Sequence, residues 1–263
     1  MLLAVSIGNS IITFGVHGKE GWRQRWRIQT VHEKTYDEYV VIFRSLFDAA
    51  GIEAKRIGSA IVASVVPPLT ATLVETVKTV TGKEPLILSA NLDLGIRITT
   101  ENPAEVGADL VANAVAAYDR FRGNCIVVDF GTALTLTAVA APGDLRGVAI
   151  APGLRSAIDA LARNAAQLPR VPLAAPPKAT GRNSTQSIQS GVVLGYAGLV
   201  EGLVRRLRAE LGGHAEVIAT GGQSQVLVPQ LGEVVAHEPW LTLEGLRIIA
   251  ERNPTARGGS GSR

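Results

Sequence analysis

Two short polar turns, each lying between apolar segments, have the residue types best suited to bind phosphate. The first is "IGNS" within "LLAVSIGNSIITFGV", and the second is "DFGT" within "CIVVDFGTALTLTAV". Glycine in such a turn permits positive φ and lets backbone N–H groups approach an anion, while Asn, Ser and Thr add short polar groups. One such turn is weak evidence because strand, turn and strand often follow one another. Two copies, each beginning one half of the chain, predict a pair of turns that clamp a nucleoside triphosphate.

The two best-known glycine-rich nucleotide motifs are absent from the sequence. Neither the P-loop pattern GxxxxGK[ST] nor the dinucleotide pattern GxGxxG occurs. The predicted phosphate clamp is therefore of a different type, built from two β-hairpin turns.

Composition limits the classes of protein to which the chain can belong. Its 263 residues suffice for two domains of about 120 residues, each with its own core. A net charge of only +3, with basic and acidic residues intermixed, predicts no nucleic-acid partner. The single cysteine, Cys125, excludes an intrachain disulfide. No apolar run approaches the length of about 20 residues that crosses a bilayer, so we expect no membrane contact and a cytoplasmic location.

The order of predicted elements repeats between the two halves. In the first half, three strands are followed by helix, strand, helix and strand, which is the connectivity of a ribonuclease H-like domain. The second half follows the same α/β plan. We therefore predict two ribonuclease H-like domains with an interdomain cleft, spanning residues 1–118 and 119–253, and a flexible tail at 254–263.

Several ordered motifs together resemble the type III pantothenate kinases of bacteria, a family of the superfamily that contains acetate and sugar kinases, Hsp70 and actin. The resemblance extends over nearly the whole chain. The motifs are "IGNS", "WRIQT", "ENPAEVGAD", "AAYDRF", "VVDFGTALT", "IAPG", "LPRV", "GRNSTQSIQSGVVLGYAGLVEGL", "IATGG" and "LTLEGL".

The resemblance implies transfer of the γ-phosphoryl group of ATP to the primary hydroxyl of pantothenate, the first step toward coenzyme A. It implies Mg²⁺ on the phosphates, a monovalent cation (K⁺ or NH₄⁺) at Asp129, and a homodimer. Asp109 would be the catalytic base. The nucleotide site would comprise Ser6, Ile7, Gly8, Asn9, Ser10, Ile11, Ile12 and Thr13 of the first turn, Thr132 of the second, and Gly221 and Gly222 near the adenine. The pantothenate site would comprise Thr100, Gly107, Ala108, Asp109, Leu110 and Ser184 of the neighbouring subunit.

From the residues alone, each of these assignments has a structural alternative. Asp109 could be an exposed helix N-cap, because Asp is a preferred residue there. Asp129 could cap its own turn by binding backbone. Ser184 could be an ordinary loop residue, and Gly221 and Gly222 could simply end a strand.

Four positions depart from the family pattern. Ser6 replaces an Asp that would act on Mg²⁺, and a hydroxyl brings no charge to the metal. Leu110 replaces an Arg that would bind the pantothenate carboxylate, while Thr100 replaces a common aromatic residue and Ser184 a usual Thr. These departures leave two alternatives open. One is a kinase for another small hydroxylated acceptor, and the other is a catalytically impaired ATP-binding or regulatory relative, such as the Bvg accessory factors.

Overall fold

The computed structural model describes residues 1–254 and divides into two compact units. Unit 1 contains, among the described residues, 1–95, 102–116 and 242–254. Unit 2 contains residues 96–101 and 117–241. Of the predicted tail at 254–263, Pro254 alone is among the described residues.

Unit 1 is built on a five-stranded sheet in the order β3-β2-β1-β4-β5. Its strands are β1 Leu2–Ile7, β2 Ile11–Gly18, β3 Gly21–Gln29, β4 Ser59–Ser64 and β5 Leu86–Ile87. The first three strands are antiparallel, whereas β4 pairs with β1 and β5 pairs with β4 in parallel. This order follows from the sequence: short turns join the first three strands, and helices make the two parallel crossovers.

Helices α1 Tyr36–Ala49 and α2 Pro67–Thr81 cover one face of this sheet. Thr35 caps α1 through a capping box with Glu38, as the sequence predicts for its N-terminus. Proline at the start of α2 fits because the first helical N–H groups have no partner inside the helix. The apolar side of both helices packs on alternate strand residues, with Phe14 stacked on Phe43 at 4.2 Å between ring centroids.

Unit 2 repeats the plan with a six-stranded sheet in the order β11-β10-β7-β8-β9-β6. Its strands are β6 Arg97–Ile98, β7 Cys125–Phe130, β8 Ala133–Ala140, β9 Asp144–Pro152, β10 Glu216–Thr220 and β11 Ala236–His237. Strands β7 to β9 are antiparallel, and β10 and β11 add in parallel beside β7. The predicted α/β class with one repeated plan is confirmed. The additional edge strand β6 was not predicted.

The remaining helices are α3 Ala108–Phe121, α4 Leu154–Asn164, α5 Ser184–Gln189, α6 Gly195–Glu210, α7 Ser224–Leu227 and α8 Leu241–Arg252. A π-helical turn, Ser190–Leu194, joins α5 to α6. Among the described residues, this continuous helix, Ser184–Glu210, is the one segment whose length and composition would suit a membrane span. Its Val193, Val200 and Val204 are fully buried in the unit 2 core, as expected of a core helix.

The compact units do not follow a single cut in the chain. Helix α8 begins at Leu241, the last residue of unit 2, yet its residues from Thr242 belong to unit 1. Segment 96–101 precedes the middle of the chain but belongs to unit 2 through the pairing of β6 with β9. The predicted boundaries at 118 and 253 assume uninterrupted domains, and the units differ from them in these two places.

Candidate functional site

The first glycine turn, Gly8–Ser10, reverses the chain between β1 and β2 in unit 1. The Gly8 N–H donates to the Ile11 carbonyl at 3.1 Å, which closes the turn. Asn9, Ser10 and Ile11 are exposed at its tip, whereas Ile7, Ile12 and the strands on either side are buried. The turn therefore presents its backbone and two short polar side chains to solvent from a rigid base.

Thr30 fixes the far side of this turn. Its hydroxyl donates to the Gly8 carbonyl at 2.7 Å, and its N–H donates to the Ser10 carbonyl at 3.0 Å. Thr30 is the last residue of the "WRIQT" motif and is buried. The sequence contained the motif, but no local pattern indicated that its threonine returns to the first turn.

Ser6 is the penultimate residue of β1, where its side chain faces away from the helix-covered core. Leu3, Val5 and Ile7 point into that core, so Ser6 points to the opposite face by strand alternation. It lies opposite Thr13 of β2 and is buried.

The second turn, Gly131–Thr132, occupies the equivalent place in unit 2 and is one residue shorter than the first. The Gly131 N–H donates to the Ala133 carbonyl at 3.1 Å. Asp129 is the penultimate residue of β7 and lies opposite Thr135 of β8, as Ser6 lies opposite Thr13. The two halves thus differ at equivalent positions: one places a carboxylate before its glycine turn and the other places a hydroxyl.

Gly221 lies against the end of β7. Its φ is +95°, and a Cβ built on it would lie 2.6 Å from both the backbone N and C of Phe130 and would overlap the Asp129 carboxylate. Such distances are shorter than real Cβ contacts, so only glycine fits. Gly221 therefore packs against the end of β7, whereas Gly222 faces open space. Their placement near the adenine stays a prediction.

Gln223 and Gly153 also hold the second turn, and the sequence analysis missed both. The Gln223 side-chain amide donates to the Gly131 carbonyl at 2.9 Å and accepts from the Arg155 N–H at 3.2 Å. A Cβ on Gly153 would lie 2.7 Å from the Gly131 carbonyl oxygen. The "IAPG" and "IATGG" motifs, remote in sequence, thus meet at one turn. This proximity arises from the pairing of β7 with its neighbours and has no signal in either motif alone.

Asp109 lies in the first turn of α3, within unit 1. Its carboxylate accepts the N–H of Leu110, its immediate neighbour, at 2.8 Å. An N-cap side chain instead accepts from an amide two or three residues ahead, so the N-cap interpretation is wrong. Burial raises the pKa of the Asp109 carboxyl above its ordinary value, and the backbone hydrogen bonds offset only part of that effect.

The segment before α3 brings Asp109 close to the end of β1. A Cβ on Gly107 would lie 2.7 Å from the Asp109 carboxylate and 3.4 Å from Val65. The Val65 N–H in turn donates to the Ile7 carbonyl at 3.0 Å, directly before the first turn. Gly107, Ala108, Asp109 and Leu110 are therefore grouped near the first turn by contacts inside unit 1.

Thr100 lies in unit 2, after the short edge strand β6. Its segment is held by the Thr99 N–H, which donates to the Leu145 carbonyl at 3.0 Å, and by an ion pair of Arg97 with the buried Asp144 carboxylate at 2.7 Å. The Thr100 hydroxyl oxygen is one of three buried side-chain oxygens without a hydrogen-bond partner in the described part of the chain.

Ser184 is the first residue of α5, directly after the capping residue Asn183. It is exposed at the rim of a cavity of about 570 Å³ in unit 2. The cavity is mainly apolar; its lining includes Leu161, Leu168, Ile188, Val192 and Tyr196. The structure does not bury Ser184, so its side chain is available to a partner.

The described residues fit a metal that is held mostly by its ligand's phosphates. Residues 1–254 contain no group of three or more His, Cys, Asp or Glu side chains arranged for a metal ion. Mg²⁺ in phosphoryl-transfer sites characteristically takes one or two carboxylates and completes its shell with phosphate and water. Asp129 and the hydroxyls near both turns are oxygen donors of the type that Mg²⁺ and K⁺ prefer.

Comparison with solved structures identifies the fold. Solved structures with related folds include a Baf family transcriptional activator from Campylobacter jejuni, with a TM-score of 0.60 at 18% identity, covering 96% of this chain and 98% of that one. A second is a 2-dehydro-3-deoxygalactonokinase protein from Sinorhizobium meliloti, with a TM-score of 0.57 at 13% identity and full coverage of both chains. At such low identity these likenesses show the fold, an actin-like ATPase fold, and nothing beyond it.

Sequence similarity is far stronger. The chain is 45% identical over 253 residues to a type III pantothenate kinase of Anaeromyxobacter sp. (strain K), covering 96% of this chain and all of that protein. It is 44% identical over 253 residues to the type III pantothenate kinase of Moorella thermoacetica, with the same coverage. Residues 2–206 match the family model described as type III pantothenate kinase. The chain that carries these two glycine turns therefore belongs to the type III pantothenate kinase family.

Proposed function

We propose that this protein transfers the γ-phosphoryl group of ATP to the primary hydroxyl of pantothenate, giving 4'-phosphopantothenate in the first step of coenzyme A biosynthesis. The main support is similarity at 45% identity across 96% of the chain to curated kinases of this type. The structural observation that carries the proposal is the repeated glycine turn, which follows a hydroxyl residue, Ser6, in unit 1 and a carboxylate residue, Asp129, in unit 2.

Asp109 acts as the base in this proposal. Its carboxylate accepts the proton of the acceptor hydroxyl as the oxygen attacks the γ-phosphorus, and ADP leaves with the electron pair of the broken P–O bond. Phosphoryl transfer has a loose transition state, so most of the acceleration comes from positioning and charge stabilisation. Asp109 needs only to be ionised and correctly placed.

The two turns hold the phosphates. Backbone N–H groups of the first turn other than that of Gly8, together with the Thr132 side chain, bind phosphate oxygens, while Gly221 and Gly222 leave room for the adenine. Ser6 would hold Mg²⁺ together with phosphate oxygens, and Asp129 would hold K⁺ or NH₄⁺; the Mg²⁺ would supply neutralisation of charge on the phosphates. Because the Ser6 hydroxyl carries no charge, it stabilises the metal less than an Asp carboxylate at the same position would.

The acceptor site is formed by Gly107–Leu110 and Thr100. The buried Thr100 hydroxyl oxygen has no hydrogen-bond partner, which supports this assignment. A buried polar group without a partner destabilises the protein, and a bound acceptor could supply the missing hydrogen bond. Leu110 offers no charge to a carboxylate, which is the observation that favours a different hydroxylated acceptor as the second candidate.

We further propose a homodimer in the cytoplasm in which Ser184 of one subunit reaches the acceptor site of the other. The apolar cavity beside Ser184 supports this, because an exposed apolar surface next to a polar residue is typical of an interface. Leu161, at its edge, is 38% exposed in the single chain.

Replacing the base tests the proposed reaction directly. Asp109→Asn keeps the size of the side chain and removes its proton acceptor, so turnover in a coupled ADP-release assay with pantothenate should fall about 10²- to 10⁴-fold. ATP should still raise the melting temperature of the variant. Because burial raises the carboxyl pKa, wild-type kcat should fall tenfold per pH unit below that raised pKa, at higher pH than an ordinary Asp would give.

The same assay with a panel of small alcohols decides between the candidates. Turnover with pantothenate supports the proposal, and turnover only with another alcohol supports the second candidate. If no acceptor stimulates turnover while ATP still stabilises the protein, the chain is a binding-only relative.

Ser6→Asp should raise kcat with Mg²⁺ about tenfold or more, because a carboxylate adds charge where a hydroxyl adds none. Ser6→Asn is the matched control, because Asn has the size of Asp but carries no charge. This variant should not raise kcat. Titration of Mg²⁺ should show half-activation at lower concentration only for the Asp variant. An unchanged rate in Ser6→Asp would mean that another group already supplies the metal.

Thr30→Val should loosen the first turn, because it leaves the buried side of the Gly8 carbonyl without its donor. Loss of such a bond costs about 1–3 kcal/mol, and about 1.4 kcal/mol corresponds to a tenfold change in binding. We expect the KM for ATP to rise about tenfold by this arithmetic and that for pantothenate to stay constant. Thr30→Ser retains the hydroxyl and should restore the wild-type KM; an equal rise in both variants would contradict this role.

Mixing two variants, each expected to have reduced turnover, tests whether the acceptor site is shared between two subunits. In a mixed dimer of Asp109→Asn with Ser184→Ala, one site combines an intact Asp109 with an intact Ser184. Turnover of the mixture should therefore exceed the sum of the separate variants, and sedimentation should show a dimer. Additive turnover, or a monomer in sedimentation, would rule out the shared site.

A further inference from the structure

Helix α8 lies against α3 at a point one turn from Asp109. Thr242 and Gly245, both within the "LTLEGL" motif, face α3 in unit 1. Neither residue belongs to the proposed nucleotide or pantothenate site. The motif takes no direct part in the proposed phosphoryl transfer, so its close packing on α3 must have another role.

The backbones of the two helices approach unusually closely at Gly245. A Cβ built on Gly245 would lie 2.5 Å from the carbonyl carbon and 2.9 Å from the Cα of Ala112, and would overlap the carbonyl oxygen. Ordinary van der Waals contact begins at 3.4 Å, so any other residue would push the helices apart by about 1 Å. Ala112 is three residues after Asp109.

A hydrogen bond lies beside this contact. The Thr242 hydroxyl donates to the side-chain oxygen of Asn113 at 2.8 Å. Asn113 is fully buried and stands four residues after Asp109, on the same side of α3. A buried amide oxygen without this donor would be destabilised, because it would have left water without an equivalent hydrogen bond. The bond therefore fixes the rotation of α3 about its axis as well as its distance from α8.

Helix α8 is itself held at both ends. The Trp22 indole N–H of β3 donates to the Glu244 carboxylate at 3.0 Å, and Arg252 makes two hydrogen bonds of 2.9 Å to the Asp93 carboxylate. The apolar face of α8, with Leu243, Leu246 and Ile249, is fully buried. The helix is therefore a fixed support and not a mobile segment.

We propose that Thr242 and Gly245 are positioning residues that set the place of the α3 turn carrying Asp109. The inference rests on the proposed function, in which Asp109 is the base. Displacement of a catalytic group by about 1 Å costs on the order of 100-fold in rate. The contact at Gly245 controls a displacement of this size without touching substrate.

Steady-state kinetics of Thr242→Val, Thr242→Ser and Gly245→Ala test the proposal. Val has the shape of Thr without the donor, and Ser keeps the donor. We expect kcat to fall at least tenfold in Thr242→Val and further in Gly245→Ala, with both KM values within twofold of wild type and ATP stabilisation retained. Thr242→Ser should restore kcat. Gly198→Ala is the matched control, because its added Cβ meets nothing within 4 Å in α6, and it should keep full kcat.

The pH profile and amide exchange separate positioning from general destabilisation. The acid limb of kcat should move to lower pH in Thr242→Val as the Asp109 carboxyl gains water, and amide exchange should accelerate in residues 108–113. Three results would overturn the proposal. The first is a loss of kcat in proportion to the loss of folded protein. The others are an acid limb of kcat that does not move in Thr242→Val and a Thr242→Ser variant that does not restore kcat. If wild type fails to phosphorylate pantothenate, the proposed function fails, and unchanged exchange in 108–113 separately overturns the support role of α8.

Discussion

A glycine N–H bonded to a carbonyl across a tight strand reversal is the constraint on which this structure depends. Gly8 and Gly131 each close such a turn at 3.1 Å between buried strands. Because the strands on both sides are packed into a core, each turn is held in place, and in the proposed function its exposed tip binds phosphate. Thr30 and Gln223 brace these turns, and Asp109 is placed close to the first turn through Gly107 and Val65.

Most of the fold could be predicted from the sequence because its signals are local. Alternating apolar residues mark the strands, Thr35 and Glu38 mark the start of α1, and short turns against long helical crossovers dictate the strand order. The edge strand β6 was missed because two residues are too few for a pattern. It exists through pairing with β9 and the Arg97–Asp144 ion pair, both of which join residues distant in sequence.

The site was predictable only in part, for the same reason. Glycine turns and an Asp at a helix start have recognisable types and spacing, and the family resemblance supplied the roles. The contacts that shape them are long-range: Thr30 bonds to Gly8, and Gln223 joins the second turn to the start of α4. The burial that raises the Asp109 pKa also comes from packing, so sequence alone led equally to an exposed cap.

The membership of α8 in unit 1 has a consequence for how the chain acquires its structure during synthesis. The ribosome completes all strands of unit 2 before it makes helix α8, whose apolar face completes the packing of unit 1. Domains generally fold as units in the order in which they emerge. Here the order is inverted: the half that is begun first is finished last. Until Leu243, Leu246 and Ile249 are synthesised, the nascent chain exposes the apolar surface that they will cover, and exposed apolar surface of this kind favours aggregation.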